Sequence, residues 1–148
     1  MDILVIEDNP LKRKKISDFL LEFSGFSVVE AASRNSGINQ AMIGSFDLMV
    51  VDMSMPTFDR TDVSHGGRFK VLAGKEIVSH LARRGRLAPF VVLTGYKDFS
   101  VNSENLSIEQ IDDLLKVVGH VYKGCIVFDA ADSFWKDRLL EVIESLRK

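Results

Sequence analysis

Five polar side chains stand at the downstream ends of apolar runs, and as a set they have definite chemistry. Asp52 follows Leu48-Met49-Val50-Val51, and Glu7 and Asp8 follow Ile3-Leu4-Val5-Ile6. Thr94 closes Val91-Val92-Leu93, and Lys123 closes His120-Val121-Tyr122. Three carboxylates brought together repel one another, so either some stay protonated or a cation joins them. Magnesium suits such a set, because it takes oxygen ligands, keeps waters and engages one or two carboxylates plus a phosphate. A carboxylate can also be a nucleophile, as in aspartyl-phosphate chemistry. Phosphoryl transfer then needs in-line placement and neutralisation of the negative charge on the transferring oxygens. The metal and Lys123 would supply positive charge, the Thr94 hydroxyl a hydrogen bond, and Gly95 room for close backbone approach. On its own, Asp52 before Met53-Ser54-Met55-Pro56 also fits an acid that starts a turn; the other four residues favour chemistry.

The elements that must position these residues follow from the apolar pattern. Leu48 to Val51 and Ile3 to Ile6 are unbroken apolar runs, the mark of strands buried on both faces. Asn9-Pro10 predicts a helix start, with Ile16, Phe19, Leu20 and Phe23 inward up to Gly25 and Lys12, Arg13, Lys14 and Lys15 on a solvated or partner-docking face. Residues 26–31 alternate as an edge strand does, and Ser33 caps a small-residue helix through Ile38, Ala41 and Met42. Residues 57–70 read as a long polar loop, followed by a helix bearing Leu72, Ile77, Val78 and Leu81 that closes at Gly85. Residues 89–95 form a fourth strand and residues 96–106 a second polar loop. Ser107-Ile108-Glu109-Gln110 is a capping box for a helix with Ile111, Leu114, Leu115 and Val118 inward. Residues 120–123 read as a fifth strand, 124–131 carry no clear signal, and a last helix from about Asp132 buries Trp135, Leu139, Val142, Ile143 and Leu146.

Five alternations of strand and helix predict an α/β fold, a doubly wound parallel sheet with helices on both faces. Ligands of such sheets bind beyond the C-terminal strand ends, where all five polar residues fall. The 148 residues fit a single domain, and 19 basic against 21 acidic side chains give no pull toward nucleic acid or an anionic membrane. Acids follow Met1 where a signal peptide carries basic residues, and no apolar stretch is long enough for a bilayer. One cysteine, Cys125, makes no internal disulfide and reads as a packing residue. Together these predict a cytoplasmic protein. His65, alone in the polar loop, reads as solvent-exposed, and Phe134 and Trp135 read as packing residues.

Taken in order, Ile-Leu-Val-Ile-Glu-Asp-Asn, Leu-Met-Val-Val-Asp with Met-Pro shortly after, Val-Val-Leu-Thr-Gly and Val-Tyr-Lys resemble the receiver domain of two-component response regulators over nearly the whole chain. The resemblance implies a flavodoxin-like, CheY-like fold with strand order 2-1-3-4-5. It implies that Asp52 accepts a phosphoryl group from a histidine kinase or phosphotransfer protein. Magnesium would be held by Glu7, Asp8, Asp52 and the Ser54 backbone carbonyl, with Thr94 and Lys123 reading the phosphoryl oxygens. The switch aromatic, three residues before the lysine, corresponds to His120, with Tyr122 on the same strand face. Departures from the family pattern are the enlarged loops at about 57–70 and 96–106 and Gly124 in place of a proline. The first loop could act as a lid, and Tyr96 could shield an acyl phosphate from water.

These features predict a stand-alone phosphoacceptor switch read by a downstream protein, with no direct nucleic-acid contact, no membrane, and room for a homodimer. An adaptor of the same fold that binds its partner without phosphorylation is the alternative. A magnesium-dependent phosphohydrolase ranks lower, because those enzymes place a second acid two residues after the nucleophile, where this chain has Ser54.

Overall fold

The structure is a computed structural model that describes the whole chain except residues 96, 97, 102 and 103. Five strands form one parallel sheet: β1 (Asp2–Ile6), β2 (Ser27–Ala31), β3 (Leu48–Val51), β6 (Phe90–Thr94) and β9 (Tyr122–Val127). Their order is β2-β1-β3-β6-β9, which is 2-1-3-4-5 counted within the sheet, as the pattern predicts. Two small antiparallel pairs lie outside it, β4 (Met55–Pro56) with β5 (Phe69–Lys70) and β7 (Asp98–Val101) with β8 (Glu104–Ser107).

Side-chain alternation along the central strands divides the core in two. Ile3, Val5, Leu48, Val50, Val91 and Leu93 face helices α1 (Pro10–Leu21) and α5 (Phe134–Leu146), meeting Ile16, Leu20, Trp135 and Leu139. Leu4, Ile6, Met49, Val51 and Val92 face the opposite layer, built from α2 (Arg34–Ile43), α3 (Ala73–Arg83) and α4 (Ile108–Lys116), where Ile77, Leu81 and Ile111 close the packing. Full burial of these strands removes any tolerance for polar residues until the chain leaves the sheet, which is why the acids begin at its edge.

Local signals set the helix starts. The Asn9 side chain accepts hydrogen bonds from the Leu11 and Lys12 N–H groups, with Pro10 in the first turn. Ser33 and Ser107 each form a reciprocal capping box, with Ser36 and Gln110.

Three stretches differ from the sequence expectation. Residues 57–70 are an antiparallel excursion rather than an open loop. Thr57 N–H donates to the Arg68 carbonyl, Phe58 N–H to the Gly66 carbonyl, and Thr61 N–H to the Ser64 carbonyl at its tip. Residues 98–101 and 104–107, expected as loop up to 106, pair as antiparallel strands because Phe99 is an apolar anchor that buries in the helix α2–α4 layer. The fifth sheet strand begins at Tyr122 and runs to Val127, through the segment that carried no sequence signal, while His120 and Val121 lie in the preceding turn. Its irregularity hid it. Phe90 pairs with Tyr122 but Val92 pairs with Cys125, so β9 carries an extra residue. Gly124 has a φ of 111° at that bulge, a conformation glycine adopts without penalty.

Candidate functional site

β1 and β3 are in register, Ile6 beside Val51, so Glu7 and Asp52 leave the sheet at the same level. Asp52 N–H donates to the Ile6 carbonyl at 3.0 Å and Glu7 N–H to the Ala31 carbonyl at 2.9 Å, which fixes both backbones. Glu7, Asp8 and Asp52 each present a carboxylate oxygen within 4.8 Å of the other two. Glu7 and Asp52 are buried, and Thr94, at the end of the neighbouring β6, is fully so. The three acids open into a cavity of about 620 Å³ that Ser54, Gly95 and Phe128 also line.

Positive charge comes from places the sequence pattern did not indicate. Lys12, on the first turn of α1, is buried, and its Nζ donates to the Leu93 carbonyl at 2.8 Å. The same ammonium lies 2.5 Å from Glu7 Oε1 and 3.5 Å from Asp52 Oδ1. Glu7 Oε1 is buried against this ammonium, which is its close partner. From the excursion, Arg60 Nη1 reaches Asp8 Oδ2 at 2.8 Å. Burial, reinforced by the negative charge of Asp52, pushes the Glu7 carboxyl up to about 8 against the lowering pull of Lys12. Asp52 is also raised by burial, opposed by Lys12, by the Met53 N–H at 2.8 Å from Oδ1, and by a hydrogen bond from Thr94.

Of the residues read from sequence, Glu7, Asp8, Asp52, Ser54 and Thr94 converge. Ser54 lines the cavity, and its hydroxyl donates to the Val71 carbonyl at 2.6 Å. Lys123, His120 and Tyr122 do not join them. Lys123 lies four positions before Val127, the β9 residue that pairs with Thr94, and therefore roughly 12 Å back along the strand. Its expected place at the strand's end is held by Phe128, whose N–H donates to the Thr94 carbonyl at 2.8 Å. His120 is exposed, and the Tyr122 hydroxyl donates to Asp112 instead of facing the acids. Tyr96 lies outside the described residues.

Sequence reasoning missed three contributors. Lys12 reads as an outer-face residue because it begins a run of four basic residues, although it falls four and eight residues before Ile16 and Leu20, on the buried stripe. Arg60 carried no pattern. Gly74, early in α3, approaches Asp52 so closely that a Cβ there would lie 2.6 Å from the Asp52 carbonyl oxygen. Elsewhere, Cys125 is a partly buried thiol pushed up to about 12, chiefly by burial, and Trp135 is buried, both as expected for packing residues. Phe134 is 72% exposed and does not pack in the core. His65 is exposed in the excursion.

A parallel sheet of this order with a carboxylate cluster at its C-terminal edge defines a class, the flavodoxin-like receivers. The model of the response regulator receiver domain matches residues 3–121, and the chain belongs to that family. It is similar to the Detocs response regulatory protein DtcB of Enterobacter cloacae, 27% identical over 99% of this chain and 100% of that one. Among solved structures it resembles the Thermotoga maritima response regulator TrrA in complex with Mg²⁺ and beryllium fluoride. That match has a TM-score of 0.65 at 21% identity and covers 98% and 97% of the two chains. It also resembles Salmonella RcsB bound to a promoter with a phosphomimetic, with a TM-score of 0.66 at 17% identity over 100% and 99% of the chains. Among the described residues no helix is long and apolar enough to cross a membrane.

Proposed function

We propose that this receiver domain is a phosphoacceptor switch in which Asp52 takes a phosphoryl group from a phosphohistidine on a sensor kinase or phosphotransfer protein. The supporting observation is the placement of the Asp52 carboxyl at the end of a fully buried strand, within one cation's reach of Glu7 and Asp8 and open to a cavity. An Asp52 oxygen bonds to phosphorus as the donor's P–N bond breaks, and the electron pair leaves with the imidazole, which takes up a proton. Thr94 already hydrogen-bonds the Asp52 carboxyl and passes that bond to a phosphoryl oxygen.

Magnesium fits the donor set, which consists of hard carboxylate oxygens from Glu7, Asp8 and Asp52 within 4.8 Å of one another. Glu7, Asp8, Asp52 and the Ser54 backbone carbonyl would hold it, and when bound it neutralises the phosphoryl oxygens. The protein is then a regulator that assists its own modification rather than an enzyme turning over a metabolite. The modified surface is read by a protein partner, and a cytoplasmic location goes with a kinase as donor.

One observation favours the second reading, a constitutive adaptor. Lys12 and Arg60 already neutralise the acids from within, as in a site that has given up its metal. Incubation with acetyl phosphate and Mg²⁺, followed by intact mass measurement, separates the two. The switch predicts one added phosphoryl group in the native protein and none in Asp52→Ala; the adaptor predicts none in either.

A further inference from the structure

We propose that Lys12 is the cation that reads the phosphoryl group on Asp52, replacing from helix α1 the lysine that a receiver carries at the end of its fifth strand. The inference rests on the phosphoacceptor reading of Asp52. Two independent placements carry it. The residue just past the end of β9 is Phe128, an aromatic without charge, and Lys123 stands too far back to reach Asp52. Lys12 is meanwhile the one buried cation among the described residues, although its neighbours in the same basic run are not buried. Lys14 pairs with Asp18 at the surface, and Arg13 Nη1 donates to the Glu7 carbonyl.

Burying an ammonium is costly unless it is paired and hydrogen-bonded, and the fold supplies both. Leu93, the residue before Thr94, gives its carbonyl to Nζ at 2.8 Å, Glu7 and Asp52 give negative charge, and the Phe128 ring lies beneath at 5.5 Å. Phe128 therefore contributes to the site by holding the replacement lysine through its ring face. With Nζ 3.5 Å from Asp52 Oδ1, a short shift off Glu7 brings the ammonium onto an oxygen of a phosphoryl group bonded to that carboxyl. Until then Lys12 shares Glu7 and Asp52 with any divalent ion, so it opposes metal binding while it promotes phosphoryl binding.

That opposition separates the proposal from a structural role, which would weaken both. Lys12→Met, Lys12→Arg, Lys123→Ala and Lys12→Met/Phe128→Lys are compared with the native chain in two assays. One is phosphoryl uptake from acetyl phosphate at saturating Mg²⁺, read by intact mass; the other is Mn²⁺ binding, read by electron paramagnetic resonance. Lys12→Met is expected to slow uptake about a hundredfold, as loss of a charge-stabilising donor does. It should also tighten Mn²⁺ binding about tenfold by freeing two carboxylates. Lys12→Arg should fall between native and Lys12→Met, Lys123→Ala should match the native protein, and the added lysine at position 128 should restore uptake. Native uptake in Lys12→Met, loss of uptake in Lys123→Ala, or weaker Mn²⁺ binding in Lys12→Met overturns the proposal while leaving Asp52 as acceptor. No uptake by the native protein overturns the phosphoacceptor reading itself, and the proposal with it.

Discussion

The acidic and the cationic halves of this site are built by different means. Glu7, Asp8 and Asp52 are delivered by two adjacent strands in register, and burial on both faces leaves the acids a single place to emerge. Lys12 and Arg60 come from a helix and from an excursion, and each reaches across to a carboxylate set by another element. The acids are fixed by the sheet, while the cations are free to be supplied from wherever a side chain can reach. A family site can therefore keep its carboxylates in place and still move its lysine.

That contrast is most sharply strained at Gly74, where helix α3 meets the acidic half. Gly74→Ala forces a Cβ against the Asp52 carbonyl and the Met53 Cα, and neither backbone atom can give way without shifting the acceptor. A loss of about 1–3 kcal/mol in urea unfolding is expected. A neutral result would mean that the strand end is not held as rigidly as the sheet register implies.

The next effect is linked to pH. A carboxyl held above its ordinary value binds its proton more tightly in the folded chain, so its stabilising contribution is complete below 4.5 for Glu7 and is lost as pH rises toward about 8. Asp52 shifts in the same direction for the same cause. The melting temperature of the metal-free protein should thus fall across that window, less steeply in Glu7→Gln, and added Mg²⁺ should offset the fall at its upper end. Equal slopes in the native and Glu7→Gln proteins would contradict the raising of the Glu7 carboxyl by burial and by Asp52.

The smallest effect belongs to the outermost cation. Arg60 is half-exposed, so its pairing with Asp8 is screened by water. Arg60→Ala should tighten Mn²⁺ binding by about twofold. A change as large as that expected for Lys12→Met would make the excursion, not α1, the main competitor for the metal.

Legibility followed the same division. The strand runs, the Asn9 and Ser107 caps and the emergence of Glu7, Asp8, Asp52 and Thr94 were readable, because buried strands and capped helices leave periodic signals. The fifth strand starts two residues and ends four residues later than expected, since a glycine bulge breaks its alternation and Val-Tyr-Lys imitates a strand that ends in a lysine. Lys12 was hidden by its own charge. Its spacing from Ile16 and Leu20 marked the buried face, but a basic residue in a basic run points to solvent unless a buried carboxylate is known to wait for it. The paired strands at 98–101 and 104–107 left few apolar anchors, Phe99 and its partner Leu106, too few to tell strands from a loop.

Phosphorylation of Asp52 can be read directly. After incubation with acetyl phosphate and Mg²⁺, borohydride reduces an aspartyl phosphate to homoserine, and peptide mapping then locates it. Homoserine at position 52, absent when Mg²⁺ is chelated, is the predicted result. An unreduced Asp52 in the incubated protein, or a modified residue anywhere else, would contradict it.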